Sequence, residues 1–179
     1  KKVVITGASQ GGIGAETAVA LAYGKPSSLV LAGRSTSDIK PTIERIREVD
    51  PTVEVVCIDL DLSDQVSVRS AVDQVKSKFE KLDILINNAA VMCVYPYRET
   101  KQGIEMQFGT NHVGHFLWTN LLLPLLTRSE RGGARIINVS STGYVLHDVP
   151  DDVNFNVSTS EGNLGGGRKV LSEDYFPIY

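Results

Sequence analysis

The run Val3-Val4-Ile5-Thr6 breaks at Gly7, and glycines recur at positions 11, 12 and 14 before Ala15-Glu16-Thr17-Ala18-Val19-Ala20-Leu21-Ala22. A β-branched apolar strand, a glycine turn and a good helix former, in that order, constrain the fold more than any other stretch. Glycines let the backbone turn tightly and approach a ligand with no Cβ in the way. The helix that opens there offers unpaired N–H groups and the positive end of its dipole. The arrangement suits a dinucleotide pyrophosphate; a purely structural turn is the competing reading.

The rest of the chain repeats the alternation. Residues 3–5, 28–32, 53–58, 82–86 and 135–139 read as strands. Helical spacing covers residues 13–23, 38–49 and, with Ser63 as N-cap, 63–79, whose face carries Val66, Val68, Val72 and Val75. Residues 100–109 read as a further helix and 111–126 as a longer one. The strands are continuous apolar runs, which fits strands covered on both faces and hence a parallel sheet. Right-handed crossovers then give an α/β, doubly wound Rossmann sheet. Residues 1–143 form the expected dinucleotide-binding core. Residues 144–179, with Gly165-Gly166-Gly167 amid Ser, Asn and Asp, read as a loop-rich, poorly ordered segment.

Composition narrows the options by exclusion. A net charge of -3 and the lack of a basic run argue against nucleic acid as a partner. No apolar stretch reaches spanning length; residues 121–126 are interrupted by Pro124. Cys57 and Cys93 have no metal-ligand spacing and fit a reducing compartment, the cytoplasm. His112 and His115, three apart on a helix, read as packing and hydrogen-bonding residues rather than metal ligands. Asn138 and Asn156 stand in N-x-S sequons that read as chance matches. Both ends look cut, at Lys1 and at Tyr179.

Arg34 follows the second strand. An acidic residue there would bind a ribose 2′-hydroxyl; a guanidinium, with Ser35 beside it, suits a 2′-phosphate, unless it is an ordinary surface arginine. Five motifs then fall in order: Thr6-Gly7 through Gly12-Ile13-Gly14, Asp61-Leu62, Asn87-Asn88-Ala89-Ala90, Asn111-His112-Val113-Gly114-His115-Phe116, and Arg135 through Ser140-Ser141. Together they resemble the short-chain dehydrogenase/reductase family. Leu31-Ala32-Gly33-Arg34 and Thr110 through Phe116 are similar to its retinol dehydrogenase and protochlorophyllide reductase branch. The resemblance implies a cofactor site of Thr6, Gly7, Ser9, Gly12, Ile13, Gly14, Arg34, Ser35, Asp61, Leu62, Asn88, Ala89 and Ala90. It further implies that Ser141 orients a substrate carbonyl, with Ser140 its rival, and that Asn111 supports a water-linked proton relay. For Asp61 the implied role is adenine recognition, against capping of the next helix. The implied activity is alcohol–carbonyl interconversion with NADP(H), in preference to NAD(H), on a small lipophilic substrate. A homo-oligomer is compatible with it.

Two departures qualify the match. The family spacing T-G-x-x-x-G-x-G has one residue more here: either Gly11 is an insertion that leaves Gly14 in place, the preferred reading, or Gly11 is the middle glycine and Ile13 stands where the last should be. The family's Tyr-x-x-x-Lys is supplied neither by Tyr144, followed by His147 and Asp148, nor by Tyr175, followed by Tyr179. It is expected beyond residue 179, with the last strands of the sheet. A binding protein that does no chemistry is the main rival reading. The sugar-nucleotide epimerases and dehydratases are disfavoured by Asn87 through Ala90.

Overall fold

The computed structural model describes residues 1–129 and 133–141. Five parallel strands lie in the order β3-β2-β1-β4-β5: β1 Lys2–Thr6, β2 Ser28–Gly33, β3 Glu54–Asp59, β4 Ile84–Asn87 and β5 Arg135–Asn138. Between them run α1 Ile13–Ala22, α2 Thr36–Val49 and α3 Gln65–Lys78, and after β4 the short α4 Met106–Phe108, a π-helical turn Gly109–Gly114 and α5 His115–Leu126. This is the expected doubly wound Rossmann sheet.

Alternation within the apolar strands builds two cores at once. Val3, Ile5, Leu29 and Leu31 pack against Ala18 and Ala22 of α1 and Ile39 and Ile46 of α2. The residues between them, Val4, Val30 and Ala32, face Val68, Val72 and Val75 of α3 and Trp118 and Leu122 of α5. Period-two side chains on a sheet covered on both sides leave no polar face, which is why the strands read as unbroken apolar runs. Burying each Leu or Ile stabilises by roughly 1.5–3 kcal/mol.

Several boundaries differ from the sequence reading. The N-cap of α3 is Asp64, whose carboxylate accepts from the Val66 N–H; Ser63 instead binds Asp61. Val66 is exposed, and Ala71 takes its place on the buried face. The helix expected over residues 100–109 shrinks to Met106–Phe108. Gly103, at φ +73°, turns the chain first, and Glu105 caps the short turn by accepting from Gln107 and Phe108 N–H groups. The helix expected from 111 to 126 is interrupted by the π-turn and becomes regular only at His115. Residues 144–179, including Tyr144 and Tyr175, lie outside the described residues.

Candidate dinucleotide site

The sheet changes winding direction between β1 and β4, and a cleft of about 390 Å³ opens at the carboxyl ends of the strands there. Open α/β sheets place ligands at such a switch point. Thr6 ends β1 at the floor of this cleft. Its Oγ1 accepts from the backbone N–H groups of Asn88 and Ala89, both at 3.0 Å, and lies 2.9 Å from His115 Nε2. The Asn88 amide donates back to the carbonyls of Thr6 (2.8 Å) and Gly7 (3.2 Å). The segment after β4 is thus bolted to the end of β1.

The glycine loop has a definite register. Gly7 sits at φ +74°, and a Cβ on it would stand 2.8 Å from Ala89 Cα. Gly14, in the first turn of α1, is where the helix meets the strand end: a Cβ there would overlap the Gly7 carbonyl oxygen. Gly11, at φ +81°, has open space around its Cβ position. Gly14 therefore holds the close-packing place, and the extra residue belongs to the loop tip. Two contacts from α2 brace this loop, Thr42 Oγ1 donating to the Ala8 carbonyl at 2.9 Å and Gln10 N–H to the Asp38 carbonyl at 3.0 Å. No side chain caps α1 at Gly12, and the N–H groups of Ile13 and Gly14 have no acceptor among the described residues. Such a helix start receives an anion without rearrangement.

Most of the anticipated residues converge on this cleft. Thr6, Gly7, Ser9, Gly12, Ile13, Arg34, Asp61, Leu62, Asn88, Ala89 and Ala90 line it. Gly14 lies just behind, and Ser35 is turned aside, its hydroxyl 2.6 Å from that of Ser37. The Arg34 side chain is exposed and has no hydrogen-bond or ion-pair partner among the described residues. Asp61 does not cap α3: one carboxylate oxygen accepts from Ser63 N–H (2.9 Å) and Oγ (2.6 Å), a local turn that leaves the group at the cleft wall. Eight further residues line the cleft that the anticipated set does not include: Gln10, Ala32, Gly33, Leu60, Ser63, Val91, Met106 and Thr110. Gln10 and Val91 adjoin named motifs and could have been included by adjacency; Met106 arrives only through the chain reversal before the π-turn.

Asn111 is half-buried in that turn. Its side chain clamps Val91, Oδ1 accepting from the N–H at 2.8 Å and Nδ2 donating to the carbonyl at 2.9 Å. Its own carbonyl lies 2.9 Å from His115 Nδ1. Ser141 follows β5 and is exposed. The two histidines part company. His112 is exposed and stacked on Phe108, with ring centroids 5.1 Å apart, whereas His115 is buried. Burial pushes the His115 ring below its ordinary pKa, and the bond to Asn111 offsets this only in part. No group of three metal-binding side chains occurs among the described residues. No described helix is long and apolar enough to cross a membrane.

One Tyr-x-x-x-Lys spacing that the sequence reading passes over does occur, at Tyr97 and Lys101. The structure gives both residues other work. Tyr97 Oη donates to Glu99 at 3.3 Å, and Lys101 pairs with Asp64 at 2.6 Å. Neither lines the cleft, and the two lie outside any helix.

Comparison with known proteins agrees with this geometry. The family model for short chain dehydrogenases matches residues 1–147. Short-chain dehydrogenase TIC 32 A, chloroplastic, from Brassica napus is 41% identical over 144 residues, which are 79% of this chain and 44% of that protein. Human retinol dehydrogenase 13 is 41% identical over 156 residues, 87% of this chain and 46% of that protein. Among solved structures, levodione reductase superposes with a TM-score of 0.65 at 27% identity, covering 81% of this chain and 55% of that one. The RhlG/NADP active-site complex of Pseudomonas aeruginosa does so with a TM-score of 0.65 at 26% identity, covering 80% and 56%. The chain spans about half the length of the relatives it matches. A glycine loop locked to the strand ends, an uncapped helix start and a family match over residues 1–147 lead to one conclusion: the chain belongs to the short-chain dehydrogenase family of oxidoreductases.

Proposed function

We propose that the protein is an NADP(H)-dependent oxidoreductase that interconverts an alcohol with a ketone or aldehyde on a small lipophilic substrate. The observation that carries this reading is Arg34, a guanidinium that lines the cleft at the end of β2 and has no partner among the described residues. A fixed positive charge there pairs bidentately with a ribose 2′-phosphate, which NAD(H) lacks. Ile13 and Gly14 N–H groups receive the pyrophosphate. Asp61 and Leu62 take the adenine, and Asn88 to Ala90 the adjoining ribose. The cofactor supplies the hydride. Asn111 supports the proton relay, and Ser141 orients the substrate oxygen. Calorimetric titration with NADPH and NADH tests the cofactor assignment: tighter binding of NADPH supports it, and equal affinities defeat it.

A second reading, a dinucleotide-binding protein without chemistry, fits the described residues, where the Tyr-x-x-x-Lys pair Tyr97 and Lys101 is committed to Glu99 and Asp64. It predicts cofactor binding with no turnover in any longer form of the protein.

A further inference from the structure

The roles assigned above leave out His115, the ring that touches both the cleft floor and the π-turn. The bonding is fully determined by counting protons. A threonine hydroxyl has one proton and two lone pairs. At Thr6 both lone pairs are filled, by the N–H groups of Asn88 and Ala89 at 3.0 Å. Its proton remains for His115 Nε2, 2.9 Å away. Nε2 must then accept, so the ring proton sits on Nδ1 and donates to the Asn111 carbonyl at 2.9 Å. The other tautomer, or an imidazolium, would press an Nε2–H against a hydroxyl with no lone pair left.

We propose that His115, held as the neutral Nδ1–H imidazole, is a positioning residue that fixes the Thr6 hydroxyl beneath the cleft and the Asn111 carbonyl in the π-turn together. The groups facing the ring are uncharged: the Thr6 hydroxyl from β1 and the Asn111 carbonyl from the π-turn. Among the described residues, no charged side chain contributes to the ring's depressed basicity. Asn111 is consequently gripped twice, by Val91 through its side chain and by His115 through its backbone. The consequence for cofactor affinity rests on the dinucleotide reading; the tautomer and the contacts do not.

Two variants separate the two arms. Asparagine at 115 can present an amide N–H where Nδ1 stands but cannot reach Thr6; glutamine can present an oxygen where Nε2 stands. The test uses amide and imidazole 1H–15N spectra of the 179-residue chain and calorimetric titration with NADPH. The wild-type spectrum at pH 7.5 is expected to show Nδ1 protonated and Nε2 bare, and the ring is expected to gain its second proton only below the pH at which a free histidine does, about 6.5. His115→Asn is expected to shift the Asn88 and Ala89 amides, spare that of Val91, and raise the Kd about tenfold, as Thr6→Val should. His115→Gln should do the reverse, moving Val91 and leaving the Kd within about threefold, as Thr6→Ser should. An Nε2-protonated ring, or one that gains its proton near pH 6.5, overturns the proposal. So does an identical shift pattern in His115→Asn and His115→Gln, which is the mark of a ring that only fills space. A wild-type chain that binds neither NADPH nor NADH defeats the cofactor reading instead, and the spectra still decide the role of His115.

Discussion

At the scale of single residues, charge and burial decide what the cleft selects and when it is stable. Arg34 is solvent-exposed, so the proposed pairing with a 2′-phosphate would be screened relative to a buried ion pair. Arg34→Ala is still expected to weaken NADPH binding about tenfold, the low end for charged hydrogen bonds, while leaving NADH binding unchanged. Titrating both cofactors against both proteins checks this. His115 makes a separate prediction about pH. Burial lowers its pKa in the folded chain, so below about pH 6.5 the unfolded state binds a proton that the folded state refuses. Stability from this group is complete above about pH 6.5 and falls as pH drops below it. Asp83 acts in another window. Burial pushes its carboxyl up, but bonds from the Lys2 N–H and the Ser129 hydroxyl outweigh that and hold it below the usual range. Its contribution is present above about pH 4 and is lost on further acidification. Urea melts at pH 7.5 and 5.5 should show a loss of stability that His115→Gln removes and Asp83→Asn does not.

At the scale of elements, the glycine loop is where register becomes testable. Gly14 lies against the Gly7 carbonyl, and Gly11 stands in open space. Gly14→Ala must therefore push α1 away from the end of β1, at a cost of about 1–3 kcal/mol, and weaken cofactor binding with it. Deleting Gly11 should preserve NADPH binding. A deletion variant that loses binding altogether would place Gly11 in the middle of the motif. Thermal melts and titrations of the two variants read both outcomes. The same elements show what the sequence can and cannot disclose. Strands were legible because a sheet buried on both faces leaves continuous apolar runs such as 28–32. The cap of α3 was misplaced by one residue because Ser63 and Asp64 are both good caps. Only the fold reveals that Asp61 has already engaged Ser63. Periodicity also could not show the π-turn. It arises where Gly109 and Gly114 pack tightly against Thr100 and Leu62, contacts set by tertiary structure.

At the scale of the whole molecule, strand order followed from two general rules, short right-handed crossovers and ligand sites at switch points. Most of the lining of the candidate cleft was legible because its residues sit in motifs at strand ends. Met106 was not, because it reaches the cleft only through a chain reversal; His115, beneath the cleft, read rightly as a packing and hydrogen-bonding residue, but its partners and tautomer needed the fold and a proton count. Among the described strands β5 lies at an edge of the sheet, and Ile136, Ile137 and Val139 on or just after it are 41–45% exposed. An edge of this kind, where nothing covers it, pairs with another chain, and size-exclusion chromatography reads whether it does so here. Chemistry makes the sharper prediction. Carbonyl reduction needs a hydride and a proton donor within hydrogen-bond reach of the oxygen. The Asn111 and Ser141 proposed for this step are present, but a tyrosine acid also needs a nearby lysine to lower its pKa. The described pair with that spacing, Tyr97 and Lys101, is committed to Glu99 and Asp64 away from the cleft. The 179-residue chain is therefore expected to bind NADPH without consuming it. Following NADPH absorbance with a panel of aldehydes and ketones provides the check. Turnover that survives Tyr97→Phe would mean that a donor elsewhere in these residues suffices. Turnover abolished by that substitution would mean that the pair leaves its partners and reaches the cleft.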